Sequence, residues 1–354
     1  MKLLTETINT IPTCDEGARR RARDRLERLT MPYWALGRLM DLAEDLAGMT
    51  GRTPPPATRK TVAVMAADHG IAARGVSLYP RDVTMQMVHN FVRGGAGINV
   101  LARLAGARVV VVDMGVAGDL GALVRTGKIR DGKVAPGTRD MTEGPAMTRE
   151  EAVKSIETGI RIARDLAQTT DVFATGEMGI GNTAPSSAIV ALYARAEVAD
   201  VTGRGTGVSD DRLLHKIKMI EKALAVNAPA PDDPIGVLSG VGGFEIGGIA
   251  GLILGAASLR KPVLVDGFIS TAGALIAAAL APRSRDYMIA SHRSMEKGHR
   301  IALNALGLKP LLDLDLRLGE GTGAALAMPL VDAAVAILSE VATFEEANVS
   351  QAKP

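Results

Sequence analysis

The chain has 354 residues, 47% hydrophobic but only 3% aromatic, with 39 glycines, and 41 basic against 39 acidic side chains for a net charge of +2. That balance supplies no bulk field for nucleic acid or an anionic membrane, and so few rings leave no platform for base stacking. Cys14 is the only cysteine, which excludes an intrachain disulfide framework and a cysteine-based zinc site and fits a reducing cytoplasm.

The opening Met1-Lys2-Leu3-Leu4-Thr5-Glu6 lacks the apolar core of a secretory leader, and apolar runs such as residues 246–259 are too short or interrupted to span a bilayer, so a cytoplasmic protein is expected. Residues 15–50 read as helical and begin with Arg19, Arg20, Arg21, Arg23, Arg25 and Arg28, a charge run that usually means a solvated face. The segment from Thr30 to Gly37, with the only tryptophan, breaks the pattern. A second helix is expected from Arg38, burying Leu39, Leu42, Ala43 and Leu46. Gly51-Arg52-Thr53-Pro54-Pro55-Pro56 is a linker by composition and the best domain boundary.

From residue 60 short apolar runs alternate with longer amphipathic ones. Strands are expected at 61–66, 108–114, 171–175, 235–238, 262–265 and 286–290. Between them, Thr148-x-x-Glu151 is a capping box opening a helix to about residue 167, and Ser209 opens another with Leu213, Ile217, Ile220 and Leu224 on its buried stripe. Continuous apolar strands alternating with helices predict a parallel, doubly wound α/β sheet, in which ligands bind beyond the carboxyl ends of the strands. Those ends carry the polar clusters: Asp68-His69-Gly70, Gly176-Glu177-Met178-Gly179-Ile180-Gly181-Asn182-Thr183, Ser239 to Glu245, Asp266-Gly267 and Ser291-His292-Arg293-Ser294. Five such ends favour a composite site on one edge.

Near the C-terminus, Gly319-Glu320-Gly321-Thr322-Gly323 places one acid in a glycine cluster ahead of an apolar helix. A bare turn lets a ligand approach, and helix N–H groups favour an ionised carboxylate, so Glu320 is either a proton acceptor or a capping acid on a loop. Glu177 and Asn182 either cradle a phosphate or sit in a tight turn between strand and helix. No Walker-type loop occurs. Gly240-x-Gly242 with Asp266 is a runner-up signal for a dinucleotide-dependent oxidoreductase, weakened because Glu245 stands where a third glycine is needed. His69, His89, His215, His292 and His299 show no metal-binding spacing, though His69 and His292, at strand ends, either touch a ligand or are satisfied structural histidines, and Ser187 and Ser294 lack a nucleophile elbow. No metal and no cofactor are therefore expected.

Together and in order these motifs resemble the nicotinate-nucleotide:dimethylbenzimidazole phosphoribosyltransferases of cobalamin biosynthesis. The matching blocks are Asp68-His69-Gly70 with Gly75-Val76-Ser77, Val83-Thr84 through Gly94-Gly95, Gly176 through Thr183, Gly203-Arg204-Gly205-Thr206-Gly207, Gly243-Phe244-Glu245-Ile246, Val265-Asp266-Gly267-Phe268, Ser291-His292-Arg293-Ser294 and Arg317 through Gly323. The resemblance implies transfer of the phosphoribosyl group of nicotinate mononucleotide to 5,6-dimethylbenzimidazole, with Glu320 as the base and Glu177 as a second catalytic acid. It implies phosphoribosyl-side contacts from Gly176, Asn182, Thr183, Gly267 and Ser291, a nucleotide contact from Lys216, and further substrate contacts from Gly179, Gly181, Gly205, Asp266 and Gly319. On the benzimidazole side it implies Ser77, Tyr79, Met85, Gln86 and Leu318. It further implies a Rossmann-like domain, residues 57–329, a small helical domain from residues 1–56 with 330–354, and a homodimer. Two departures stand out. The family's Lys-Pro-Pro-Gly-Ser-Leu-Gly is Met31-Pro32-Tyr33-Trp34-Ala35-Leu36-Gly37 here, and its Gly-Asn-Thr-Thr is Gly181-Asn182-Thr183-Ala184. They bear on which base is accepted, since relatives using adenine or phenols share these motifs. A homolog that binds without catalysis is the third reading.

Overall fold

The structure is a computed structural model that describes residues 1–205 and 209–350. Three helices precede the first strand: α1 (Lys2–Asn9), α2 (Glu16–Leu26) and α3 (Arg38–Thr50). Asp15 caps α2 by accepting from the Ala18 N–H at 2.7 Å. The basic face of α2 is not simply solvated. Arg19 pairs with Asp45 and Arg23 with Glu44, both on α3, while Arg25 reaches Glu346 and the Leu338 carbonyl oxygen. The eight residues of α1 gave no periodic signal; Leu4 and Thr7 are buried there and the Leu4 N–H donates to Glu157.

The sheet begins with β1 (Lys60–Ala67), followed by α4 (Val83–Arg93), α5 (Gly97–Leu104), β2 (Ala107–Gly115), α6 (Gly121–Arg125) and β3 (Arg130–Asp131). Next come α7 (Arg149–Leu166), β4 (Val172–Met178), α8 (Thr183–Ala194), α9 (Val198–Val201), α10 (Asp210–Asn227), α11 (Pro234–Val241) and α12 (Phe244–Ser258). The chain continues through β5 (Val263–Val265), α13 (Phe268–Leu280), β6 (Met288–Ala290), β7 (His292–Arg293), α14 (His299–Leu306), β8 (Leu312–Asp313) and α15 (Thr322–Glu340).

Six strands pair in the order β3-β2-β1-β4-β5-β6, all parallel. This is a Rossmann-like sheet whose direction of progression reverses between β1 and β4, so the loops leaving those strands diverge and open a crevice. Every residue of β1 is buried, as expected for a central strand covered on both faces. Helix α12 contacts β1, β2, β4 and β5, and α15 contacts β1, β4 and β5. Glycines bring α7 and α12 to backbone contact: a Cβ on Gly159 would run into the Gly248 carbonyl oxygen, and one on Gly251 into that of Ile156. This explains part of the high glycine content.

One expected strand is a helix. Residues 235–238 belong to α11, where Asp233 accepts from the Gly236 N–H at 3.0 Å and Pro234 occupies the first turn. A cap followed by proline is a helix start, and a four-residue apolar run is equally compatible with a buried helix. Gly240 and Gly242 therefore do not follow a strand, and the oxidoreductase reading loses its structural basis. Helix α15 is, by length and composition alone, apolar enough to cross a membrane; here it packs on α3, α5 and the sheet.

Candidate active site

A cavity of about 520 Å³ opens where the chain leaves β4, β5 and β6. Its wall takes Val76, Ser77 and Tyr79 from the stretch after β1, and Val83 and Met87 from α4. Residues 177–183 run from the end of β4 to the first residue of α8, residues 267–270 begin α13, and residues 317–320 precede α15.

The chain reaches Glu320 through three consecutive left-handed residues, with φ of +81° at Gly319, +62° at Glu320 and +94° at Gly321. The two glycines adopt this freely; the glutamate does so at a cost of about 1–2 kcal/mol. Neighbouring bonds fix the turn. Asp266 accepts from the Gly321 N–H at 3.2 Å and from the Ala324 N–H at 2.9 Å, so its carboxylate caps α15. The Glu320 N–H donates to Glu177 Oε1 at 3.3 Å. The Glu320 carboxylate itself turns away from α15. Its Oε2 accepts from the Ile98 N–H, in the first turn of α5, at 3.0 Å. The helix start that meets this acid is therefore α5, 222 residues earlier in the chain.

Both acids hold protons more tightly than usual. Burial raises Glu320, opposed by the Ile98 N–H, and the charge of Asp266 adds to the rise. Burial pushes Glu177 up to about 8, against a 2.5 Å hydrogen bond from Asn182 Nδ2, with Asp266 and Glu245 contributing. Two carboxyls in different environments on one cavity wall can divide the tasks of base and neutral acid.

The start of α8 stands beside them, and a helix N-terminus backed by a lysine is suited to an anion. Gly179 to Thr183 and Gly205 line that end of the cavity, and Lys216 stands behind, its Nζ donating to Thr183 Oγ1 at 2.8 Å and to the Gly203 carbonyl oxygen at 3.3 Å. Burial brings Lys216 down to about 8, opposed by the charge of Glu296. Pro185 falls in the first turn of α8, where a missing N–H breaks no helical bond. Thr206 and Gly207 of the neighbouring motif lie outside the described residues.

A sequence profile described as "Phosphoribosyltransferase" matches residues 11–349. The chain belongs to this phosphoribosyltransferase family. It is 62% identical to the nicotinate-nucleotide–dimethylbenzimidazole phosphoribosyltransferase of Syntrophotalea carbinolica over the full length of both chains. To the protein of that name from Desulforudis audaxviator it is 54% identical, over all of this chain and 99% of the other. The crystal structure of the Thermus thermophilus enzyme of that name superposes with a TM-score of 0.89 at 45% identity, covering 96% of this chain and all of the other.

Within this phosphoribosyltransferase, Ser77, Tyr79, Glu177, Gly179, Gly181, Asn182, Thr183, Gly205, Gly267, Leu318, Gly319 and Glu320 share the cavity wall. Other residues expected at the substrate stand elsewhere. Asp266 is spent on the cap of α15, and Ser291 Oγ lies 3.0 Å from His292 Nδ1. Gly176 lies under the Glu320 turn, where a Cβ would meet the Glu320 carbonyl oxygen. Met85 packs against Gly118, and Gln86 is exposed. His69 is not on the cavity wall either; its Nε2 lies 2.7 Å from Glu245 Oε1, both side chains buried. Burial disfavours a charged His69, but the Glu245 carboxylate outweighs it and raises the imidazole pKa.

Four polar lining residues were not expected at the substrate from sequence, Ser270, Ser294, Glu296 and Arg317, and the cavity also takes His292, which the sequence left open between a ligand contact and a structural role. Ser294 and Arg317 lie within motifs already noted and Glu296 stands two residues beyond one, so position was the available signal. Ser270 sits inside an apolar helical run and gave none.

Proposed function

We propose that this enzyme moves the 5-phosphoribosyl group of nicotinate mononucleotide to a nitrogen of 5,6-dimethylbenzimidazole, giving α-ribazole 5′-phosphate and nicotinate for the lower ligand of cobalamin. The bond between the anomeric carbon and the pyridine nitrogen breaks as the azole nitrogen attacks from the opposite face. The pyridine leaves with that electron pair, and the azole N–H proton passes to Glu320. The carrying observation is Glu320 itself: a buried carboxylate of raised basicity, fixed in a cavity that also holds a lysine-backed anion seat.

In this reading the phosphate sits at the start of α8, with Lys216 behind Thr183 and Gly205 supplying charge. Glu177, which keeps its proton near neutrality, faces the ribose without adding a negative charge there. Val76, Val83, Met87 and Leu318, with Tyr79, offer an apolar wall for a flat heterocycle, in keeping with an azole acceptor. We extend the proposal to a cytoplasmic homodimer. Tyr33, Leu36, Leu78, Tyr79, Met295, Leu314 and Leu318 are large apolar residues left exposed on one chain, several beside the cavity mouth. A small helical domain of residues 1–56 with 330–354 is likewise proposed, supported by the packing of α3 on α2 and α15.

The test is nicotinate release from nicotinate mononucleotide, followed by chromatography with 5,6-dimethylbenzimidazole, adenine, a phenol or no acceptor. Acceptor-dependent release with 5,6-dimethylbenzimidazole fastest is the expected result, and another base in first place would reassign the acceptor. Binding without release under all four conditions would replace the transferase with a nucleotide-binding protein. Light scattering during size-exclusion chromatography reads the dimer directly.

A further inference from the structure

The cavity has two walls that the transfer must bring together, and one buried hydroxyl joins them. Val83 and Met87 line it from α4, on the side offered to the azole, while Gly179, Ile180 and Gly181 line it from the turn between β4 and α8, on the side offered to the nucleotide. Thr84 follows Val83 on α4 but is absent from the cavity wall; it is fully buried, and its Oγ1 accepts from the Ile180 N–H at 3.1 Å. The other bonds of the turn are internal, the Gly179 and Gly181 carbonyl oxygens accepting from the Asn182 and Ala184 N–H groups. Behind the turn there is no slack, since a Cβ on Gly179 would lie 2.5 Å from the Ala67 carbonyl oxygen at the end of β1. The start of α4 lacks a cap of its own: among the described residues Asp82, at the N-cap, makes no side-chain bond to the helix, and the stretch before it carries the exposed Leu78 and Tyr79.

We infer that Thr84 is a positioning residue that couples the two half-sites through the Ile180 N–H, so that filling the nucleotide side favours filling the azole side and the reverse; this rests on the transfer reaction proposed above. A movement of α4 that opened the azole wall would draw Oγ1 away from Ile180 and leave a buried donor unpaired. A movement of the turn would do the same from the other side. The two walls therefore take up one joint arrangement, and the substrate that arrives first orders both, leaving less to be ordered when the second binds. Linkage makes the effect reciprocal between the two ligands.

The experiment is titration calorimetry of the full chain with 5,6-dimethylbenzimidazole, alone and with saturating ribose 5-phosphate, which fills the nucleotide side but carries no pyridine to displace. In the unaltered protein ribose 5-phosphate should tighten azole binding by roughly 5-fold or more. Thr84→Val keeps the shape and loses the acceptor; the tightening should fall to about twofold or less, with azole affinity in the absence of ribose 5-phosphate near that of the parent. Thr84→Ser keeps the hydroxyl and should keep the tightening. In turnover, Thr84→Val should raise the KM for the azole at saturating mononucleotide, and Thr84→Ser should restore it. No tightening in the unaltered protein overturns the inference, as does tightening of parental size in Thr84→Val or an equal loss of azole affinity with and without ribose 5-phosphate, the mark of a structural role alone. Should Thr84→Val not fold, Thr84→Ser decides, since loss of the tightening with the hydroxyl in place is equally fatal. Thr84-dependent tightening in a protein that releases no nicotinate from the mononucleotide would sustain the coupling and sink the transfer reaction instead.

Discussion

Replacing Glu320 by glutamine removes proton acceptance and little else. The introduced amide oxygen can still accept from the Ile98 N–H, the bond now 3.0 Å long, and the backbone keeps its φ of +62°. The backbone N–H still donates to Glu177 Oε1. The anion seat at α8 is made by other residues, so nucleotide affinity should hold. A positioned general base contributes roughly 10²- to 10⁴-fold, which corresponds to about 2.7–5.4 kcal/mol on the barrier at 1.36 kcal/mol per tenfold. Glu320→Gln should therefore lower kcat for nicotinate release by that factor with the KM for the mononucleotide within about threefold. In the parent, the base acts deprotonated and its pKa is raised by burial and by Asp266. Activity should thus rise with pH through an acid limb lying above the ordinary carboxylate range, and this limb should vanish in the variant. Near-normal turnover in Glu320→Gln, or a loss confined to KM, would refute Glu320 as the base.

Lys216 loses its charge near pH 8, so the KM for the mononucleotide should climb above that pH, and in Lys216→Gln it should be high and flat across the range. Glu177 has a folded-state pKa of about 8 against an ordinary 4.5, so its contribution to stability is full below 4.5 and is lost as pH rises through 8. Glu177→Gln should accordingly gain in Tm over the parent progressively across that window, with a constant gap above it; parallel melting curves would contradict the burial argument. Gly319→Ala puts a side chain at φ +81° and against Glu177 Oε1. It should cost at least about 1–2 kcal/mol in urea unfolding and disturb turnover as well.

The central strands were legible because buried parallel strands are continuous apolar runs, and β1, β2 and β4 needed no partner to be seen. Two-residue strands such as β7 and β8 carry no such pattern, since they are defined by their pairing with each other. The run at 235–238 misled because its length suits either element; Asp233-Pro234 was the residue-level signal for helix. In the site, glycine beside an acid marked Glu320 and Glu177 directly. Two facts were invisible for a tertiary reason. Asp266 reads as a polar residue at a strand end, yet its oxygens are consumed by α15. Ile98 reads as an ordinary helical residue, yet its N–H holds Glu320.

These bonds also explain why a glutamate can remain in a left-handed turn. Alone, such a residue would relax, since about 1–2 kcal/mol favours the right-handed region. Here relaxation would swing the peptide on either side and break the Glu320 N–H bond to Glu177 together with the Gly321 N–H bond to Asp266. Both acceptors are buried, so each broken bond would leave a polar group unpaired away from water, at a cost of about 1–3 kcal/mol apiece. The sum exceeds the backbone strain, and the turn is locked. The carboxylates doing the locking also raise the proton affinity of Glu320 through the charge of Asp266. The same contact therefore fixes the base in position and strengthens it, and a substitution at Asp266 should weaken both effects at once although its side chain is absent from the cavity wall. Asp266→Asn tests this: retention of kcat with a merely lower Tm would separate the two roles, whereas a fall in kcat with the acid limb shifted to lower pH would join them.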